Sequence, residues 1–198
     1  MRTLLIGGAR SGKSSLAARW AAERSRDVCC VVTGIATDSE MEVRIEAHRR
    51  ERPAQWQTRE EPVQLARVLA PGGPLLLIDC LTVWVANCLW PRSLQGLAAC
   101  KGLAACKGLA ACKDPGGGAT ADLAGWRQER DAFIAALRDF RGDVILVTNE
   151  VGSGIVPDNA AARLFADEHG WMNQAVAAVC EEVFLVAAGL PLRMKPRS

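Results

Sequence analysis

The chain has 198 residues, of which 49% are hydrophobic and 23% charged, and its 24 basic and 22 acidic side chains give a formal net charge of +2. This length and composition predict one soluble globular domain over residues 1–198, with a sizeable core. The near-balanced charge gives no reason to expect a nucleic-acid partner. No apolar run approaches the roughly 20 residues of a membrane span, and the N-terminus does not resemble a signal peptide, so we expect a cytoplasmic protein.

A phosphate-binding loop is the first recognisable element. The apolar run Leu4-Leu5-Ile6 is followed by glycine, four residues and then Gly-Lys-Ser, which is the spacing of a P-loop. Backbone N–H groups of such a loop surround phosphate oxygens, its lysine reaches the outer phosphates, and its serine hydroxyl helps to hold Mg²⁺. An alanine-rich stretch over residues 15–24 predicts the helix that follows. We therefore expect nucleotide binding by Gly7, Gly8, Ala9, Arg10, Ser11, Gly12, Lys13 and Ser14.

The rest of the chain alternates strand and helix patterns. Short apolar runs predict strands over residues 28–33, 75–79, 144–148 and 183–187, and a short one around residue 192. Helical patterns cover residues 38–50, 63–69, 81–90, 122–140, 160–168 and 172–180, whereas residues 56–61 indicate a polar connection. The alternation predicts an α/β fold: a mostly parallel sheet with right-handed crossovers, helices on both faces and a C-terminal edge hairpin around residues 189–191.

The carboxyl ends of the predicted strands carry polar residues. Asp79 ends a fully apolar strand, as a Mg²⁺-associated acid of P-loop folds does, so we expect it beside Ser14 and the metal. Residues 149–154, Asn-Glu-Val-Gly-Ser-Gly, follow another strand. In open α/β sheets this edge faces the ligand.

An exact repeat interrupts the pattern, because Gly-Leu-Ala-Ala-Cys-Lys occurs three times between Gly96 and Lys113. Six residues turn a helix by about 600°, so the three leucines could not share one buried stripe. Glycine and alanine are poor strand formers. We predict a flexible insertion over residues 93–120, and the alternative is that its lysines or thiols recruit a partner.

The eight cysteines do not indicate a disulfide framework. Five lie within apolar segments and are expected to be reduced core residues: Cys29, Cys30, Cys80, Cys88 and Cys180. The other three belong to the repeat and have neither C-x-x-C spacing nor nearby histidines, which argues against a zinc site.

Two histidines are present, and each has a plain structural interpretation. His48 lies among several arginines, yet a charge run is usually a solvated face and a single histidine is usually structural. His169 lies between Glu168 and Gly170 at an apparent helix end, where it would interact with the helix dipole. On these residues alone the structural interpretation is favoured for both.

The order of four segments along the chain favours a functional interpretation of His48 instead. These segments are the P-loop, the stretch from Ala47 through Trp56, Ile78-Asp79-Cys80-Leu81-Thr82-Val83-Trp84, and residues 147–157. Together they resemble the bifunctional adenosylcobinamide kinase/adenosylcobinamide-phosphate guanylyltransferase family, from residue 2 to about residue 195 apart from the repeat. The resemblance implies a RecA-like P-loop fold, a role in cobalamin biosynthesis, GTP and ATP as substrates with Mg²⁺, a corrinoid substrate, and a homo-oligomer, commonly a trimer.

The resemblance also implies roles for particular residues. The family's guanylylated histidine falls on His48. Lys13, which the P-loop spacing directs at the phosphates, is expected to be the second catalytic residue. Further nucleotide contacts fall on Val32, Thr33, Gly34, Arg49, Arg50, Glu51, Arg52, Glu60 and Asp79, with Ser14 and Asp79 at the metal. A neutral imidazole is a good nucleophile toward phosphorus, so a covalent GMP intermediate on His48 is chemically reasonable.

Two other functions stay open at this point. One is a simple P-loop small-molecule kinase in which His48 is structural, and a covalent GMP adduct would distinguish the two. The other is a GTP-binding switch module, although the guanine-reading signature Asn-Lys-x-Asp is absent from the sequence.

Overall fold

The computed structural model describes residues 1–34, 53–91 and 120–195. Within these residues seven strands form one sheet in the order β3-β2-β4-β5-β1-β6-β7. The strands are β1 Arg2–Gly7, β2 Val28–Val32, β3 Gln57–Glu60, β4 Leu75–Asp79, β5 Val144–Asn149, β6 Glu182–Ala187 and β7 Leu190–Lys195. Each neighbouring pair is parallel except β6 with β7, which forms the antiparallel C-terminal hairpin.

Helices cover both faces of this sheet. They are α1 Lys13–Arg24, α2 Leu81–Leu89, α3 Leu123–Asp139 and α4 Ala160–Val179. On one face Leu16, Ala17 and Ala21 of α1 join a core cluster with alternate residues of β1, β4 and β5. On the other face side chains of α2, α3 and α4 pack against the remaining alternate residues. Burial on both faces explains why these strands are continuous apolar runs. The predicted α/β fold with a mostly parallel sheet and an edge hairpin is confirmed.

An aromatic cluster fills the core between α2 and α3. The ring of Trp84 lies 5.1 Å from that of Trp126 and 5.0 Å from that of Phe133, measured between centroids. All three side chains are fully buried. The indole N–H of Trp84 donates to the carbonyl oxygen of Val63 at 2.6 Å, so its polar atom is satisfied inside the core.

Two predictions before β4 are wrong. Residues 57–60 were expected in a polar connection, but they form the edge strand β3, which pairs with β2 from Cys29↔Gln57 to Val32↔Glu60. All four of its side chains are exposed, so the strand leaves no apolar pattern in the sequence. The helix expected over residues 63–69 is a single 3-10 turn, Leu65–Val68. Its apolar residues are buried, although the segment is too short to be an α-helix.

The helical region near the C-terminus also differs from the prediction. Residues 160–168 and 172–180 were expected to form two helices, whereas α4 is continuous through Gly170. An interior glycine costs a helix about 1 kcal/mol. Side chains are buried on both sides of Gly170, with His169 before it and Met172 and Val176 after it, and this burial outweighs that cost. The Asn159 side chain caps the helix by accepting the N–H of Ala162 at 2.7 Å.

The other predictions in the described part agree with the structure. The strands at residues 28–33, 75–79, 144–148 and 183–187 and the helices at 81–90 and 122–140 are confirmed to within a residue or two. The five cysteines outside the repeat are free thiols, four buried and Cys80 half-buried. No helix in the three described stretches is long and apolar enough to cross a membrane. The helix predicted over residues 38–50 and the insertion predicted over 93–120 lie outside the described residues, apart from Thr120 at the insertion's end.

Candidate active site

The carboxyl ends of four parallel strands bring the predicted phosphate-site residues to one edge of the sheet. Gly7 at the end of β1 is in register with Asn149 at the end of β5. Asp79 at the end of β4 is in register with Val32 on one side and with Val147 on the other. The P-loop and the strand that carries Asp79 are therefore separated by β5 alone.

Lys13 begins α1, and its side chain folds back over the loop. Its ammonium group donates to the carbonyl oxygen of Gly8 at 3.0 Å, and the residue is only 8% exposed. Burial lowers the pKa of Lys13, while Asp79 and Cys80 oppose that shift. A partly desolvated cation held next to the loop amides is suited to attract phosphate oxygens.

Ser14 and Asp79 form the candidate metal site. The hydroxyl oxygen of Ser14 lies 3.5 Å from a carboxylate oxygen of Asp79. Hydroxyl and carboxylate oxygens are donors that Mg²⁺ prefers, and this ion commonly takes few protein ligands together with phosphate oxygens and water. Across residues 1–34, 53–91 and 120–195, no cluster of three or more histidine, cysteine or acidic side chains could hold a metal. The donor pair thus fits a nucleotide-associated Mg²⁺ better than an all-protein metal centre.

The P-loop is packed against the turn of the C-terminal hairpin. The N–H of Gly189 donates to the carbonyl oxygen of Ser11 at 2.8 Å. Gly12 has a φ of +90°, and a Cβ atom there would lie 3.0 Å from the Cα of Gly189. Arg10 also has a positive φ, of 57°. The glycine at position 12 is thus needed both for its backbone conformation and for the close approach of the hairpin.

The hydroxyl of Ser11 is buried and has no hydrogen-bond partner among the described residues. A polar atom left unpaired inside a protein is costly, and such atoms concentrate where a ligand binds. Its position in the loop agrees with the expected phosphate contact.

Thr33 makes supporting hydrogen bonds beside Asp79, and its expected nucleotide contact stays a prediction. Its side chain is fully buried, donates to the carbonyl oxygen of Cys80 at 2.8 Å and accepts the N–H of Cys80 at 3.1 Å. The Asn87 side chain donates to the carbonyl oxygen of Thr33 at 2.9 Å. The Thr33 hydroxyl therefore fixes the backbone immediately after Asp79.

Glu60 lies far from the P-loop along this edge, on the outermost strand β3. It is exposed, ends the outermost strand β3 and is in register with Val32. Four strand spacings separate β3 from β1, which amounts to about 19 Å. A residue so placed could contact only a part of a ligand remote from the P-loop phosphates.

Sequence reasoning missed a buried polar network behind the site. The ring nitrogen Nε2 of His169 lies 3.1 Å from the hydroxyl of Thr82 and 3.2 Å from that of Thr148. His169 is 1% exposed in the interior of α4, so its expected place at a helix end is wrong. Burial lowers the pKa of His169 to about 4, despite the nearby charge of Glu150, and keeps the imidazole neutral at pH 7. An apolar pattern does not reveal such a network, since its members come from three separate segments.

Comparisons with known proteins identify the family. The model of the family described as CobU, cobinamide kinase / cobinamide phosphate guanyltransferase, matches residues 3–194. The chain belongs to the CobU family. It is 42% identical to the bifunctional adenosylcobalamin biosynthesis protein CobP of Pseudomonas aeruginosa, over 98% of each chain. It is 36% identical to the bifunctional adenosylcobalamin biosynthesis protein CobU of Salmonella typhimurium, over 98% of this chain and 100% of that one.

Solved structures with a similar arrangement are remote. The RadB recombinase matches with a TM-score of 0.39 and 12% identity, over 93% of this chain and 73% of that one. The P4 protein from bacteriophage phi6 in complex with ADP matches with a TM-score of 0.36 and 16% identity, over 96% of this chain and 53% of that one.

Membership of the CobU family confirms the expectation of a bifunctional transferase, a kinase and guanylyltransferase of cobalamin biosynthesis. The histidine that is expected to act as the nucleophile is not among the described residues. His48, Arg49, Arg50, Glu51 and Arg52 belong to the undescribed segment that follows Gly34 at the carboxyl end of β2. Their roles stay predictions.

Proposed function

We propose that the chain phosphorylates adenosylcobinamide with ATP or GTP and then transfers GMP from GTP to the product through a guanylyl intermediate on His48, giving adenosylcobinamide-GDP. The observation that carries this proposal is the P-loop lysine beside the Ser14 and Asp79 pair, in a chain that matches the CobU family from residue 3 to residue 194. We further propose a cytoplasmic enzyme that assembles as a homo-oligomer, most simply the trimer that the resemblance implies.

In the kinase step the chain's own part is to bind and orient the triphosphate. Loop amides surround its phosphate oxygens, and Lys13 offers a positive charge to the outer phosphates. The aminopropanol hydroxyl of the corrinoid forms a bond to the γ-phosphorus while the bond from that phosphorus to the β–γ bridging oxygen breaks. The nucleoside diphosphate leaves, and the hydroxyl proton is released. Positioning and charge stabilisation suffice for this reaction.

Ser14 and Asp79 would hold Mg²⁺ in this site. When bound, the ion neutralises charge on the phosphate oxygens. Thr33 contributes indirectly, because its two hydrogen bonds to Cys80 fix the backbone that follows the Asp79 carboxylate.

Guanylyl transfer needs a nucleophile that phosphoryl transfer does not. A ring nitrogen of His48 bonds to the α-phosphorus of GTP, the bond to the α–β bridging oxygen breaks, and pyrophosphate leaves. A phosphate oxygen of adenosylcobinamide phosphate then displaces the imidazole, which restores His48. The alternative nucleophile His169 is 1% exposed, and its Nε2 lies between two threonine hydroxyls, which supports the assignment to His48.

The test is incubation of the protein with α-labelled GTP and Mg²⁺ without corrinoid, followed by a denaturing gel. We expect acid-labile, alkali-stable label on the wild type and on His169→Ala, and none on His48→Ala, which should keep measurable kinase activity. Label that persists on His48→Ala would overturn the assignment. Kinase activity without any covalent label on the wild type would favour the simple kinase.

A further inference from the structure

We propose that the side-chain amide of Asn149 is a further catalytic group, which donates a hydrogen bond to the terminal phosphoryl group of the bound triphosphate, and that Thr82, Thr148, His169 and Asn173 are the residues that position it. The inference rests on the proposed kinase activity and deepens it. It assigns a role to Asn149, the last residue of β5, at the ligand-facing edge of the sheet.

The first observation is the face on which Asn149 lies. Ile145 and Val147 pack in the core cluster on the α1 side of the sheet, whereas Val144 and Leu146 pack on the opposite side. Because successive side chains of a strand point to opposite faces, Asn149 belongs to the α1 side. Leu75 and Leu77 of β4 pack on the same side, which gives Asp79 the same face.

The second observation is the position of Asn149 along the edge. It is in register with Gly7, where the P-loop begins, and lies two residues beyond the partner of Asp79, which is about 6.6 Å along the strand. Its amide is therefore placed between the P-loop strand and the Asp79 strand. That is the region where the outer phosphates, held by Lys13 and by oxygens at the metal, must lie.

The third observation is that the backbone of Asn149 is held while its side chain is not. Its N–H donates to the hydroxyl of Thr82 at 2.8 Å, and its carbonyl oxygen accepts the amide of Asn173 at 3.0 Å. The half-buried side chain makes no hydrogen bond to any described residue. The backbone contacts therefore hold this residue at the ligand-facing edge, and its side-chain amide is not committed to another partner, so it can turn to donate to a phosphate oxygen.

The hydrogen bonds of the supporting network are mutually consistent. The hydroxyl of Thr148 donates to the side-chain oxygen of Asn173 at 2.8 Å, which turns the amide nitrogen of that residue toward Asn149 and toward Nδ1 of His169, 3.5 Å away. Nδ1 facing a donor must carry a lone pair, so the proton is on Nε2, between the threonine hydroxyls. All four members are at least 91% buried. The network links α2, β5 and α4 to one backbone position.

Terminal-phosphate recognition can be measured without turnover. The experiment compares the full-length wild type with its variants in the presence of Mg²⁺. Calorimetry gives the affinities for GDP and for the β,γ-imido analogue of GTP, and a separate assay gives kcat of the kinase reaction. We expect Asn149→Ala to lose about 10-fold of the affinity for the triphosphate analogue, to bind GDP within twofold of the wild type, and to lower kcat about 100-fold. Asn149→Asp, which has the same size, should also lose the preference for the triphosphate. Gln128→Ala removes an exposed amide from α3 and should change neither quantity.

The positioning role has its own readout. Thr82→Val should lower kcat with little change in GDP affinity, whereas Thr82→Ser keeps the hydroxyl and should restore most of the rate. If Thr82 acts through Asn149, the double variant with Asn149→Ala should be no slower than Asn149→Ala alone. Wild-type triphosphate preference and kcat in both Asn149 variants would overturn the proposal, and additive losses in the double variant would overturn the positioning role. The binding comparison needs no corrinoid and no guanylyl transfer, so failure of the proposed function would be seen separately.

Discussion

Gly7 and Gly8 are adjacent glycines of the same loop, yet the structure predicts opposite responses to an added methyl group. A Cβ atom on Gly7 would lie 2.4 Å from the carbonyl oxygen of Val186 and 2.6 Å from the hydroxyl oxygen of Ser11. The first contact is with the backbone of a paired strand, β6, which cannot rotate away. A Cβ atom on Gly8 would meet nothing within 4 Å. Alanine should therefore strain the sheet at position 7 and fit at position 8.

Overpacking of this kind costs about 1–3 kcal/mol, and the backbone contact puts Gly7→Ala at the upper end. Gly8→Ala should change the free energy of unfolding by less than about 1 kcal/mol, because alanine reduces the entropy of the unfolded chain. The assay is urea unfolding of the ligand-free protein at pH 7.5, followed by circular dichroism, with Gly8→Ala as the matched control. Equal midpoints for the two variants would refute the claim that β6 closes over position 7.

Three further predictions address charge, pH and the repeat. Lys13→Ala should lower both the kinase and the guanylyl-transfer rates at least about 100-fold, because both reactions load the same loop with negative charge; either rate near the wild-type value would contradict a shared site. Because the pKa of His169 is lowered to about 4 from an unfolded value near 6.5, unfolding takes up a proton, so stability is full above pH 6.5 and falls toward pH 4. Relative to His169→Gln, the wild type should lose roughly 3 kcal/mol across that window in urea titrations at fixed pH, and parallel pH curves would argue against a neutral buried imidazole. Deletion of residues 102–113, two whole repeats, should leave the melting temperature nearly unchanged, whereas a drop of many degrees would show that the repeat packs.

The strands that are buried on both faces of the sheet could be predicted from the sequence, because burial on both faces requires apolar residues throughout. The strands that end at Gly7, Asp79 and Asn149 are continuous apolar runs because helices cover both faces of the sheet. The carboxyl ends of parallel strands meet at one edge of the sheet, so the polar residues that end these strands could be expected together there. The closeness of Ser14 and Asp79 was therefore predictable.

What escaped prediction depends on long-range pairing. β3 has only exposed side chains and exists because its backbone pairs with β2. The His169 network joins hydroxyl, amide and imidazole groups from α2, β5 and α4, and a spacing rule relates none of these segments to another. Gly189 carried a turn signal in the sequence, but its contact with the P-loop requires β6 to lie next to β1.

The contact between the P-loop and the hairpin turn makes hydrogen exchange at one amide sensitive to the state of the P-loop. The amide hydrogen of Gly189 is held by the carbonyl oxygen of Ser11, inside the loop, although the residue itself is exposed. This hydrogen can exchange with solvent deuterium only when the loop moves away from the turn. A phosphate that stiffens the loop should therefore slow deuterium uptake at a single amide almost 180 residues along the chain from the loop, which lets nucleotide occupancy be read at the C-terminal hairpin.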